Sequence, residues 1–319
     1  MKVTTVIPAY KSKYLLELLA SLVQQTEPPD QVIISDDTKD FSFAQVLYSE
    51  PVKSLVAHLN VTVVEGPRKG AQANWAHCIK AWGASTELVH LLCDDDVVYP
   101  TFYEQHRRAH RLGHYSASVS RRWYANENGQ PLRQRLNVPL QYSNHAEKFQ
   151  SLTSRELFST TAARSSNWLG ELSNSVLRER TAQLVLRRQY DSIGYAGLED
   201  LGSLICGSIE APLCFINEHL GYFRLSPDQN SSNTAGMPLK LAYLSYIALA
   251  FIGRNAGQMT AAESQECIDR VAAVFLWHFR EADDVKQVRE MLPNLVAQTP
   301  GAEGEFLESW NLLQQTVSF

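Results

Sequence analysis

Three adjacent carboxylates, Asp94-Asp95-Asp96, stand where an apolar run ends, with Pro100 just downstream. Side by side they repel one another, and each resists ionising. A hard divalent cation removes that cost, because Mg²⁺ and Mn²⁺ favour carboxylate oxygen together with substrate phosphate. The alternative is a solvated acidic turn capping the next helix, where the dipole favours acids. The triplet alone does not choose between them. A second acidic pair, Asp36-Asp37, and a basic pair, Arg68-Lys69, offer what a nucleotide diphosphate needs. Asp37 can accept hydrogen bonds from a base or ribose, or simply cap a turn, the reading that suits Asp36 better. Arg68 can neutralise phosphate. Asn74 can bond a ribose or satisfy a loop backbone. Far downstream, Glu199-Asp200 opens a helix, a place any acid favours.

The elements that carry these residues follow from periodicity. Val3–Ile7 is a β-branched run ended by Pro8, and Leu15, Leu18, Leu19 and Leu22 recur at helical spacing. Gln31–Ser35 predicts a second strand, ending on Asp36-Asp37. Val61–Val64 predicts a third, leading into Arg68-Lys69, and a helix from about Ala71 carries Asn74. Glu87–Leu92 predicts the strand before the triplet. Four strand-then-helix units in about a hundred residues argue for a parallel sheet covered on both faces. Ligands of such sheets bind beyond the carboxyl ends of the strands, where all these charged residues fall.

The pattern weakens from Arg107 to about Asn167. Asn126-Glu127-Asn128-Gly129 predicts a hairpin turn after Ser116–Tyr124, and Gln134–Ser151 reads as a polar, irregular flap. Short strands are expected at Pro212–Ile216 and Leu220–Arg224. Residues 238–319 read as a helical extension, with a capping box at Thr260–Glu263. The boundary expected is 1–237 for the main domain and 238–319 for the extension.

A net charge of −5 gives no electrostatic case for nucleic acid. The five cysteines, at 78, 93, 206, 214 and 267, are scattered and unpaired in pattern, as in a reducing compartment. The chain starts directly on a strand, and its longest apolar run, Leu241–Ile252, falls short of the roughly 20 residues a membrane helix needs. A cytoplasmic location is expected, with peripheral membrane association left open. Neither G-x-G-x-x-G nor G-x-x-x-x-G-K-[ST] occurs, so phosphate binding by metal is favoured over a glycine-rich nest.

Val6-Ile7-Pro8-Ala9-Tyr10, Ser35-Asp36-Asp37, Arg68-Lys69-Gly70 with Asn74, Asp94-Asp95-Asp96 with Pro100, and Gly197-Leu198-Glu199-Asp200 stand in an order that resembles the family 2 glycosyltransferases. The resemblance covers roughly residues 1–231. It implies a GT-A fold, a Rossmann-like mixed α/β sheet, and inverting sugar transfer from a nucleotide-diphosphate donor to a glycan, lipid-linked or protein hydroxyl. It implies that Pro8 and Tyr10 line the nucleotide pocket with Asp37 beside a uracil. Asp94 would touch the ribose, and Asp95 and Asp96 would hold Mg²⁺ or Mn²⁺, although both D-x-D and D-D registers fit. Asp200 would be the general base that an inverting transfer needs. Glu199, Arg224 and Trp168 would lie on the acceptor side, Trp168 and Tyr195 either as a stacking wall or as core. The family's arginine-then-histidine loop reads Arg224-Leu225-Ser226 here, which leaves phosphate closure by that loop in question. Competing readings are a nucleotidyltransferase, disfavoured by Pro8-Ala9-Tyr10-Lys11, and a sugar-nucleotide-binding protein that transfers nothing.

Overall fold

In a computed structural model of the chain, residues 1–226 and 236–316 are described. Strand and helix alternate first: β1 (Val3–Ala9), α1 (Leu15–Val23), β2 (Gln31–Asp36), α2 (Ser42–Leu47), α3 (Val52–Val56), β3 (Val61–Glu65), α4 (Ala71–Trp82) and β4 (Leu88–Leu91). Next come β5 (Val97–Val98), α5 (Phe102–Leu112), β6 (Ala117–Ala125), α6 (Leu140–Ser143), β7 (Phe149–Leu152), α7 (Ser154–Thr160), β8 (Ser175–Leu177) and α8 (Glu179–Arg187). The hairpin β9 (Gln189–Tyr190) and β10 (Ile193–Gly194) precedes α9 (Glu199–Gly207) and β11 (Leu213–Arg224). The described C-terminal helices are α10 (Met237–Asn255), α11 (Ala261–His278), α12 (Lys286–Val296) and α13 (Ala302–Thr316).

The main sheet runs β3-β2-β1-β4-β8-β6-β11-β5, with β7 also paired to β11. Its first half is parallel: β1 pairs with β2 and β4, and β2 with β3. β8 is antiparallel to both β4 and β6, so β6 runs in the direction of β4. The carboxyl end of β6 therefore reaches the same rim as the acidic triplet. β11 is parallel to β6 and antiparallel to β5, which brings Arg224 back beside that triplet.

Alternation along each strand splits the core in two. Val3, Ile7 and Ala9 of β1 face one side and Val6 the other; Val32 and Ile34 oppose Ile33 in the same way. The side of Val6 continues without interruption into the C-terminal helices. Leu244, Phe275, Leu292 and Trp310 belong to the same apolar cluster as Trp82 and Phe215.

Three expectations change. The strand Ser116–Tyr124 does not zip into a hairpin after the Asn126–Gly129 turn, and only a single bridge, Ala125 to Pro131, forms. Proline has no N–H to extend that ladder, and β6 pairs instead with β8 and β11. The two short strands expected after Pro212 are one, β11, interrupted by register shifts. The polar stretch 134–151 is only partly irregular, since it contains α6 and starts β7, which is hydrogen-bonded to β11. Among the described residues, no helix is long and apolar enough to cross a membrane.

Candidate active site

β1 and β4 are adjacent and parallel, so their carboxyl ends deliver two loops side by side. Asp94 closes the gap. Its Oδ2 accepts the backbone N–H groups of Tyr10 and Lys11, both at 2.6 Å. The Tyr10 ring is left 65% exposed on the rim. Burial, and then the charge of Asp95, push the Asp94 carboxyl up to about 6 against the pull of those two amides.

Asp95 and Asp96 had equal claims in the sequence; the fold separates them. Asp96 turns inward, only 1% exposed, and its Oδ1 accepts the Arg224 N–H at 3.0 Å. Burial and the neighbouring Asp95 push its carboxyl well above the ordinary range. The Asp95 carboxylate instead faces Lys11, with Nζ 3.9 Å away. Arg224 is also turned inward, away from the acceptor role the resemblance implies. Its Nε donates to the Asp95 carbonyl at 2.8 Å, and its guanidinium reaches the Glu127 carbonyl and the Glu17 carboxylate. The Tyr14 ring lies 4.0 Å beneath it. Ser226 donates to Glu127; the remainder of that loop, through Ser231, lies outside the described residues.

At the neighbouring strand end, Asp36 caps its own turn. Its oxygens accept from Thr38 N and Oγ1 and from Ala44 N. Asp37 accepts the Arg68 N–H, and Arg68 Nε donates to the Thr38 carbonyl at 3.1 Å. The Asp37 and Arg68 loops approach so closely that a Cβ on Gly66 would sit 2.7 Å from Asp37 Cα. Asn74 is buried and bound to Ser35 through both ends of its amide, so it fastens α4 to β2. Pro8 is buried within β1.

Asp200 occupies the first turn of α9. Its Oδ1 accepts the Leu201 N–H at 2.7 Å, and Asn167 Nδ2 lies 3.4 Å from Oδ2. Burial, and less strongly Glu199, push its carboxyl up to about 6. The charge of Arg122 lowers it slightly, after burial, the backbone bonds and Glu199, and acts on Asp96 as the smallest of its causes too. Arg122 is 3% exposed, ion-paired with Glu171 and stacked over the Tyr124 and Phe223 rings at 4.6 and 4.8 Å. A single buried guanidinium thus stands within electrostatic reach of both the acidic turn and Asp200. Glu199, by contrast, faces Arg188 at 3.3 Å inside the domain.

The aromatic wall is not there. Trp168 is 1% exposed, stacked on Tyr142 and edge-on to Phe215, and its indole N–H donates to Thr160. Tyr195 is likewise buried, its hydroxyl donating to the Leu184 carbonyl at 3.0 Å. Both fill core space that a ring facing sugar would have to leave. His219 stacks on Trp123, with ring centroids 3.8 Å apart.

Residues 4–170 match the model of the family described as Glycosyl transferase family 2, just over half of the chain. The chain belongs to glycosyl transferase family 2. The GT-A fold expected of a family 2 glycosyltransferase is the one observed, a mixed sheet with its rim of acids and a helical C-terminal region. Among solved structures, residues 1–349 of S. aureus TarS in complex with UDP-GlcNAc are similar over 99% of this chain and 91% of that one, at 16% identity and a TM-score of 0.62. The same protein with UDP gives a TM-score of 0.60. Against the longer S. aureus TarS chain, the match covers 55% of that protein. No curated protein matches the sequence.

For a family 2 enzyme, the residue that sequence reasoning missed is Arg122. Its only signal was a pair of arginines inside a strand whose earlier residues are small or apolar. Lys11, the cation facing Asp95, has no local signal in the sequence.

Proposed function

We propose that this glycosyltransferase moves a sugar from a UDP-sugar to a hydroxyl of a glycan, lipid-linked or protein acceptor, with inversion at the anomeric carbon. The observation that carries this reading is that residues 167–174 touch both the acidic turn and the separate carboxylate, Asp200. Asn167 Nδ2 lies 3.4 Å from Asp200 Oδ2, and Ser173 Oγ accepts the N–H of Cys93, at the head of the acidic turn, at 3.1 Å. Inverting transfer needs that division of labour. One carboxylate must stay free for the acceptor while others deal with the diphosphate. The similarity in fold to a protein solved with UDP-GlcNAc and with UDP supports a uridine nucleotide as donor.

The acids fit a hard divalent cation. Asp96 Oδ2 is buried with no hydrogen bond of good geometry among the described residues, only the Ser173 hydroxyl nearby, and burial, then the neighbouring Asp95, makes Asp94 and Asp96 reluctant to ionise without a counter-charge. No ready-made cage of three or more ligating side chains occurs among the described residues. Mg²⁺ or Mn²⁺ bound through one or two carboxylates and substrate phosphate needs none. In this reading Asp95 is the principal ligand, Asp96 its inward neighbour, and Asp94 shapes the Tyr10–Lys11 loop that borders the nucleotide. The cation would supply charge neutralisation at the departing diphosphate.

The residues of the chain do the rest. Tyr10 and Pro8 border the base, with Asp37 and Arg68 beyond. Asp200 takes the proton of the acceptor hydroxyl as that oxygen attacks the anomeric carbon. The electron pair of the old glycosidic bond leaves on the diphosphate. The raised affinity of Asp200 for a proton suits it to a base working near neutral pH.

The test is UDP release from UDP-sugars with Mn²⁺ and a panel of hydroxyl acceptors. Asp200→Asn should lower release by about 10²–10⁴ while UDP still binds. Undiminished turnover in that variant would refute Asp200 as the base.

A further inference from the structure

The loop that delivers Asp200 pairs only part of its backbone locally: the Tyr195 N–H donates to the Arg188 carbonyl and the Leu198 N–H to the Tyr195 carbonyl, both at 3.1 Å. Residues Gly194–Gly197 join the β9–β10 hairpin to α9, and Tyr195, Ala196 and Leu198 are buried. Buried backbone N–H and C=O groups must be paired. Here the C-terminal helices supply further partners. From α13, Trp310 Nε1 donates to the Gly194 carbonyl at 2.9 Å, and Gln314 Oε1 accepts the Ala196 N–H at 3.2 Å. From α10, Ser245 Oγ donates to the Ala196 carbonyl at 2.7 Å. Gly197 has a φ of +89° and lies against the α10 backbone, where an added Cβ would come within 2.7 Å of Ala242 N. Burial raises the phenol of Tyr246 on α10, and the charge of Asp200 adds to it.

Three polar side chains from residues more than 200 positions after the first strand are thus spent on two loop residues, immediately before the proposed base. We infer that the C-terminal helices are a positioning device for Asp200: α10 and α13 clamp the Gly194–Gly197 loop and thereby set where the carboxylate points. The inference rests on Asp200 being the base, and it assigns Trp310, Gln314 and Ser245 as positioning residues. Each of them bonds the loop backbone. Loss of the clamp should leave the nucleotide side intact, because Asp94, Asp37 and Tyr10 are held by other elements.

The experiment uses the full chain with Gln314→Met and Ser245→Ala, alone and together, and Trp310→Phe as a third variant. Hydrogen exchange of residues 194–201 should rise about tenfold or more in the double variant while that of β1 and β4 is unchanged. With UDP-GlcNAc and Mn²⁺, kcat for UDP release should fall about tenfold while KM and UDP affinity stay within twofold. Gln314→Glu, which keeps the acceptor oxygen, should restore most of the rate. Unchanged exchange at 194–201 in the double variant overturns the clamp whatever the turnover. Faster exchange with unchanged kcat overturns the positioning role. If Asp200→Asn is itself fully active, the base assignment fails, and the exchange data still decide whether the clamp exists.

Discussion

Arg224 and Asp96 are joined across the β5–β11 seam, the Arg224 N–H donating to Asp96 Oδ1 at 3.0 Å. The same residue reaches the preceding peptide with its side chain, Nε to the Asp95 carbonyl at 2.8 Å. An acidic turn would otherwise spread to lower its own repulsion. Here the last strand of the sheet holds it closed, so a residue near the end of the catalytic region fixes the geometry of a motif near its start.

Arg224→Lys should therefore be costly although it keeps the charge. An ammonium cannot reproduce the planar fork that contacts the Asp95 carbonyl, the Glu127 carbonyl and Glu17 together. A loss of about 2–4 kcal/mol is expected for buried bonds to a charged group. Urea unfolding should show a lower midpoint at unchanged slope. A midpoint equal to that of the parent would show that the fork is not holding the turn.

Gly66→Ala tests the neighbouring strand end. The new methyl would meet Asp37 Cα and Oδ1, both at 2.7 Å, and backbone cannot yield as a flexible side chain can. Overpacking of this kind costs about 1–3 kcal/mol. UDP affinity should fall as well, because the Asp37 carboxylate and the Arg68 N–H that it accepts must separate. Isothermal titration with UDP measures the second effect independently of the first.

Much of this site was legible because strand ends announce themselves. Asp36-Asp37 and Asp94–Asp96 follow apolar runs directly, and a parallel sheet gathers such ends at one rim. What each side chain does there was not legible. Asp95 and Asp96 are identical in type and adjacent in sequence, and only the return of β11 decides which one turns inward. Trp168 looks the same in sequence whether it faces sugar or Phe215. Arg122 was hidden for a different reason. Its partners, Glu171 and the rings of Tyr124 and Phe223, come partly from distant parts of the chain, and no local period marks a tertiary meeting. The helices after Met237 could be recognised from their spacing, but their contact with Gly194 and Ala196 could not.

Asp95 and Asp96 should part company under mutation. Asp95→Asn is expected to remove the gain in UDP-induced thermal stabilisation that Mn²⁺ provides, with little change in the stability of the protein alone. A ligand bound only by the native state raises its melting temperature, so loss of metal-assisted binding is read directly as a lost shift. Adding a chelator to the parent protein should reproduce the Asp95→Asn result. Asp96→Ala should instead lower the melting temperature without ligand, because it leaves the buried Arg224 N–H without its acceptor. Equal loss of the Mn²⁺ effect in both variants would make Asp96 a ligand of equal standing.

Asp200 carries a pH signature in both rate and stability. Its carboxyl titrates at about 6 in the folded chain, above the value of about 3.9 for an unfolded aspartate. Between those values the unfolded chain releases the proton first. The contribution of Asp200 to stability is therefore complete below about pH 4 and is lost as pH rises through about 6. Asp200→Asn does not titrate, so its melting temperature relative to the parent should climb across that interval and level off above it. The rate follows the opposite trend, because only the ionised base accepts a proton. With Mn²⁺ saturating, so that the acidic turn stays ionised, kcat/KM should fall as pH drops below about 6. Removing the base should lower kcat by about 10²–10⁴ and erase that limb. A variant slow at every pH yet keeping an acid limb near 6 would mean that another carboxylate receives the proton, and Asp200 would then be a structural acid at the start of α9.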